Sequence, residues 1–163
     1  MSMNEEELVQ MGRSVYETIC AMLDDREYNY ERHDDENYIS CTLRGEDFPI
    51  KIIFHVREKL QIVQLISPLT FNIKEDRRTE LAYAISYVND HLINGCFDYN
   101  ISNGRISFRL ASSYIDSILG KGLFDYMLMV SATTVDEYND KFLMLSKGVV
   151  SLEQFLENEQ NDQ

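Results

Sequence analysis

The stretch FDYNISNGRISFRL, residues 97 to 110, constrains the fold more than any other part of the chain. Asn103-Gly104 is the dipeptide that two-residue type I′ hairpin turns prefer, because both central residues need positive φ and these two tolerate it cheaply. Such a turn sets a register. With Ser102 opposite Arg105, Phe97, Tyr99 and Ile101 fall across from Leu110, Phe108 and Ile106, while Asp98, Asn100 and Ser102 face Arg109, Ser107 and Arg105. One face is expected in a core and the other in water, with Asp98 directly opposite Arg109 as a pair of opposite charge. The hairpin is scaffold, and nothing in it is catalytic.

A lone hairpin needs more strands and a cover, and the chain supplies both. Residues 5 to 24 predict an amphipathic helix from Leu8, Met11, Val15, Ile19 and Met22, with Glu5, Glu6 and Glu7 in the first turn where the helix dipole favours negative charge. Strands are predicted at about 27 to 32 and 38 to 44, joined by a polar turn at His33 to Asn37. Two more follow at 48 to 56 and 60 to 73. Pro68 lacks a ladder donor, so the last of these is expected to break there or to run along an edge. A second helix spans about 75 to 93, with Leu81, Ile85, Val88 and Leu92 on one face and Gly95 as a left-handed cap. Beyond the hairpin a third helix, beginning at 115 or 120, runs to 145 with Leu123, Met127, Val130, Thr134, Tyr138 and Phe142 as its apolar stripe. The order α-β-β-β-β-α-β-β-α groups the strands instead of alternating them with helices. That implies an α+β fold, an antiparallel sheet with helices packed on one face. At 163 residues a single domain is expected over 1–163, with a flexible acidic tail at about 157–163.

Composition narrows function by exclusion. A net charge of −13 and a pI near 4.5 disfavour nucleic acid and anionic membrane surfaces, whose binding draws on clustered Lys and Arg. Cys20, Cys41 and Cys96 are odd in number and without CxxC spacing, so they form neither a disulfide framework nor a zinc site and are expected as small buried hydrophobes. The acidic, polar first residues and the absence of an apolar run of about 18 residues imply a cytoplasmic protein. Gly120-Lys121-Gly122 is too short for a phosphate loop, His33, His55 and His91 follow no HExxH spacing, and no GxSxG occurs. HDDEN, 33 to 37, gathers one imidazole and three carboxylates, so it is either a solvated hairpin turn or a divalent-cation site that departs from calcium-loop spacing. No catalytic residue, cofactor or metal ligand set is expected.

Between about Leu65 and Leu145 lie a strand ending before KEDRRTELAYAISYVN, Asn89 and Leu92 at that helix's end, GCFDYNISNGRISFR with Gly95, Phe97, Asn103-Gly104 and Arg109, and a long helix. In these features the chain resembles the YbjN-like family, bacterial proteins described as sensory transduction regulators. The resemblance implies a fold similar to that of type III secretion chaperones and brings no catalytic residues with it.

The expectation is therefore a non-enzymatic bacterial regulatory or adaptor protein that works by binding another protein. The alternatives are a chaperone holding a partly unfolded client, as the secretion chaperones do, and a small-ligand sensor. Two binding surfaces follow from the sequence. A strand edge near Pro68 would accept an extended peptide through backbone hydrogen bonds. The stretch FDYMLMV, 124 to 130, carries more apolar residues than one helix face buries. Either that helix is buried on two sides within its own fold, or Phe124, Met127, Met129 and Val130 form a homodimer or client interface, to which thioether side chains adapt well.

Overall fold

The computed structural model describes residues 4–162. Asn4 opens α1 (Glu5–Asp25) with a capping box, its side chain accepting from the Glu7 amide while the Glu7 carboxylate accepts from the Asn4 amide. The chain then lays down β1 (Tyr30–His33), β2 (Tyr38–Arg44), β3 (Pro49–Arg57) and β4 (Ile62–Asn72), and crosses through α2 (Arg78–His91). It returns as β5 (Cys96–Asn100) and β6 (Arg105–Ser113), and finishes with α3 (Lys121–Ser146) and α4 (Leu152–Asn161). The six strands are antiparallel in the order β1-β2-β3-β4-β6-β5.

Period-two alternation makes this sheet one-sided. In β3, Ile50, Ile52, Phe54 and Val56 are buried, while Lys51, Ile53, His55 and Arg57 point the other way. Val63, Leu65, Ser67 and Leu69 of β4 and Ile106, Phe108 and Leu110 of β6 continue the buried face. α3 lies across the inner side of β3, β4 and β6, with α1 toward β3 and α2 toward β5. Aromatic rings lock the layers edge to face: Phe54 on Phe124 at 6.3 Å and Phe97 on Phe142 at 5.2 Å. The fold is α+β, with an antiparallel sheet covered by helices on one face.

The hairpin turn differs from the type I′ expectation. Asn100 pairs with Arg105, so Ile101 to Gly104 form a four-residue loop. Asn100 organises it: its side chain accepts from the Ser102 and Asn103 amides at 3.0 and 3.3 Å, and its carbonyl accepts from the Gly104 amide at 2.7 Å. Within the loop Gly104 takes the positive φ, 74°, and Asn103 does not. Pairing shifts by two residues, setting Phe97 opposite Phe108, Tyr99 opposite Ile106 and Asp98 opposite Ser107. An even slip keeps each strand side chain on its expected face. Asp98 consequently meets Arg109 on the diagonal, 2.6 Å from Oδ2 to the arginine Nε, and Ile101 becomes an exposed loop residue.

Other boundaries moved for similar local reasons. β4 is interior, between β3 and β6, and Pro68 marks a break where the β4–β6 register shifts before Asn72. The edge expected near Pro68 is therefore not available to a peptide. α2 stops at His91, so Gly95 is not its cap; at φ 78° it turns the chain into β5, where a Cβ would strike the Phe108 ring. Residues 157–161, expected in a flexible tail, continue α4. A second capping box, Ser151 with Gln154, starts that helix, and the buried Glu159 accepts from the Tyr138 hydroxyl at 2.9 Å and the Lys141 Nζ at 2.7 Å. Among the described residues no helix is long and apolar enough to cross a membrane.

Candidate functional site

α3 separates the four side chains expected to form one interface. Phe124 and Met127 are fully buried, Val130 is half-buried, and Met129 is 42% exposed next to Tyr126. The stretch is mainly core: the helix is covered by the sheet on one side and by α1, α2 and α4 on others. That corrects the four-residue surface, since two of its members cannot reach a partner. Met129 instead walls a cleft of about 490 Å³ with Tyr28, Ile50 and Asp136.

The HDDEN segment folds as a 3-10 turn at Asp34–Glu36, closed by Asn37 at φ 54°. Asp34 is engaged with Arg32 at 3.2 Å and Arg13 at 3.7 Å. A hydrogen bond from Tyr16, with Arg32 and Arg13 beside it, holds the Asp34 carboxyl below the usual carboxylate range. Among the described residues no three His, Cys, Asp or Glu side chains converge as metal ligands. Cys20 and Cys41 are buried as expected, and burial pushes the Cys41 thiol up to about 11. Cys96 departs from the expectation. It is half-exposed, 3.5 Å from the Arg109 Nη2 and 3.7 Å from the Asp98 Oδ1.

A second surface is the side of the sheet that the helices leave bare. Cross-strand registry orders it in rows. His33, Tyr38, His55 and Gln64 make one row, and Glu31, Ser40, Ile53, Ile66, Arg109 and Cys96 make the next. The His33 ring stacks on Tyr38 at 4.0 Å, and His55 meets Tyr38 edge-on at 6.5 Å. Ile53 and Ile66 are direct neighbours, and Ile62 and Pro68 extend the apolar strip along β4; all four are only half-buried. A shallow cleft of about 340 Å³ opens among Lys51, Ile53, His55, Tyr38, His33 and Glu31. Burial first, and then the neighbouring Arg57, lower the His55 pKa against the pull of Glu36, so this imidazole is neutral at pH 7. Arg57 donates across to the Gln64 Oε1 at 2.9 Å, and Arg109 forks onto Asp98 at 2.6 and 3.0 Å.

The sheet's edges are less inviting than its face. Asn89 of α2 accepts the Phe97 amide at 2.7 Å and donates to the Phe97 carbonyl at 2.9 Å. It thereby occupies the Phe97 backbone groups, through which a further strand beside β5 would bond. β1, the opposite edge, offers only four residues. The edge role of Asn89 left no trace in local sequence pattern. The bare face did leave one, because every second strand position beside the apolar set belongs to it.

A family profile described as “Putative bacterial sensory transduction regulator” matches residues 16–144. The chain belongs to the YbjN family. The matched YbjN region takes in all six strands, Asn89 and the bare face, and ends within α3. Among solved structures, YbjN from E. coli superposes with a TM-score of 0.56 at 14% identity, covering 77% of this chain and 92% of that one. A chain of the ExsC-ExsE complex gives 0.58 at 10% identity, covering 78% and 92%, and a chain of the HopA1-SchA chaperone-effector complex gives 0.53 at 11%, covering 79% and 95%. Among curated proteins no sequence matches. At these identities the neighbours establish the architecture, one that YbjN shares with type III secretion chaperones.

Proposed function

We propose that this chain is a non-enzymatic regulatory or adaptor protein that acts by binding another protein on the bare face of its sheet. One observation carries the reading: a six-stranded sheet whose second face holds Tyr38, Ile53, Ile62, Ile66 and Pro68 half-exposed, with no helix over them. Contiguous apolar surface rimmed by polar groups is the usual mark of a protein interaction site. The regulator description of the YbjN family and the chaperone-effector pairing named for one structural neighbour support a protein as the partner. The same neighbour favours a second reading, a chaperone whose client is partly unfolded. The two differ in the partner, which on its own is folded in the first case and protease-sensitive in the second.

The test is capture of partners from the host with the tagged chain, comparing wild type, Ile66→Glu on the bare face and Met129→Glu on α3. A near-stoichiometric partner that survives Met129→Glu and is lost with Ile66→Glu is the expected result. Loss with Met129→Glu alone would move the interface to α3 and revive a homodimer or client surface there. Recovery of no partner at all would remove the adaptor reading.

A further inference from the structure

The bare face is charged against the grain of the chain. Overall, 28 Asp and Glu outnumber 15 Lys and Arg. On the strands of this face the ratio reverses: Arg44, Lys51, Arg57, Arg105 and Arg109 stand against Glu31 and Asp98. Asp98 takes up Arg109. The other four cations are exposed, and among the described residues none lies within ion-pairing distance of a carboxylate. On the helical side most cations are paired: Arg13, Arg26, Arg32, Arg77, Lys121 and Lys141 each hold an Asp or Glu, while Arg78 donates to the Ile73 and Ser102 carbonyls instead. A chain so rich in carboxylates has left its unpaired strand cations around one apolar strip.

Taking the bare face as the binding surface, which rests on the function proposed above, we propose that its occupant is an acidic segment of a partner protein. Apolar side chains of that segment lie on Ile53 and Ile66, and its carboxylates meet Lys51, Arg57 and Arg105. A second copy of this chain fits poorly. Face-to-face packing brings these cations against their own kind, and docking the face onto another copy's acidic helices leaves an open, non-closing contact. A nucleic acid backbone also carries the right sign, but a polyanion long enough to leave the face runs onto the surrounding negative surface. A short segment does not, because charges beyond about 8 Å are largely screened at physiological ionic strength.

Fluorescence anisotropy on the full chain tests this with three labelled probes: a short peptide alternating Glu and Val, the same peptide with Lys for Glu, and single-stranded oligo-dT. The Glu peptide is expected to bind at least about ten-fold more tightly than the Lys peptide. The Lys51→Glu/Arg57→Glu double variant is expected to weaken it about ten-fold, and added salt to weaken it further. Lys51→Met/Arg57→Met, expected to fall between and to melt like wild type, separates lost charge from lost folding. Equal affinity for the two peptides, no binding of the Glu peptide, or an unchanged affinity in the double variant would overturn the proposal; tighter binding of oligo-dT would give the face to phosphate instead. A host partner lost with Ile66→Glu while the Glu peptide fails to bind would leave the adaptor reading standing and remove only the acidic occupant.

Discussion

Asn89→Ala removes two groups that stand in for a missing strand. Both hydrogen bonds go to the backbone of Phe97, at 2.7 and 2.9 Å, and the Phe97 residue is only 2% exposed. Each bond contributes about 1 kcal/mol net, and a buried backbone group left without a partner adds a penalty of similar size, so the loss comes to about 2 to 4 kcal/mol. For a chain of this length that corresponds to a fall in melting temperature of roughly 5 to 12 °C. Urea unfolding followed by circular dichroism should show a lower midpoint with an unchanged slope, since the surface exposed on unfolding is the same. Amide exchange at Phe97 should accelerate specifically, because its N–H loses its acceptor. A freed β5 edge should also raise light scattering at high concentration. A stability loss below about 0.5 kcal/mol, or a Phe97 amide that exchanges as slowly as in wild type, would show that solvent or α2 backbone replaces the side chain.

Gly104→Ala tests the turn: Gly104 sits at φ 74°, and a Cβ there would overlap the Ile73 carbonyl, so a loss of about 2 kcal/mol or more is expected in urea titration. Wild-type stability there would mean that the hairpin relaxes freely away from β4. His55 predicts a pH dependence. Its folded pKa is lowered from the ordinary 6.5 by burial and then by Arg57, so below that value the unfolded chain binds a proton that the folded chain resists. The contribution of neutral His55 is present above 6.5 and is lost as pH falls through the lower folded pKa. Melting temperature should drop more steeply from pH 7 to pH 5 in wild type than in His55→Gln; parallel profiles would refute this.

How far the sequence could be followed depended on which interaction decides each feature. β2 was legible because polar turns bracket it and its burial alternates cleanly. The faces of the hairpin were legible for the same reason, and they survived a two-residue error in register because period two is blind to an even slip. The register itself was not, because Asn100 competes for the turn: its side chain and carbonyl together hold three amides, which Asn103-Gly104 alone does not announce. Pro68 declares a missing donor but not its remedy, and β4 accommodates it with a register shift inside the sheet instead of a place at its edge. α3 misled through its apolar count. Its buried side includes Ser131 and Asn139 as well as Phe124, Met127 and Leu128, a pattern set by close approach of several elements and invisible to a one-face periodicity. Ser151 and Gln154 spelled out the capping box of α4, a signal strong enough to have extended that helix through the tail.

Net charge conceals the proposed binding surface for a different reason, because it sums over both sides of the sheet. A net charge of −13 belongs to the whole molecule, and it governs long-range encounter and solubility. Docking is decided within about a Debye length, so the relevant charge is that of one face. In an antiparallel sheet covered on one side, the face is already written in the sequence as every second strand position, and summing charge over Glu31, Arg44, Lys51, Arg57, Asp98, Arg105 and Arg109 gives a positive balance. Four of those cations lack a carboxylate partner although the chain has carboxylates to spare, whereas Arg13, Arg26, Arg32, Lys121 and Lys141 on the helical side each hold one. Solubility alone would not segregate charge in this way, because acidic and basic residues scattered over both sides serve it equally well. The proposed acidic occupant accounts for the segregation, since the same unpaired cations that attract such a segment repel the equivalent face of a second copy.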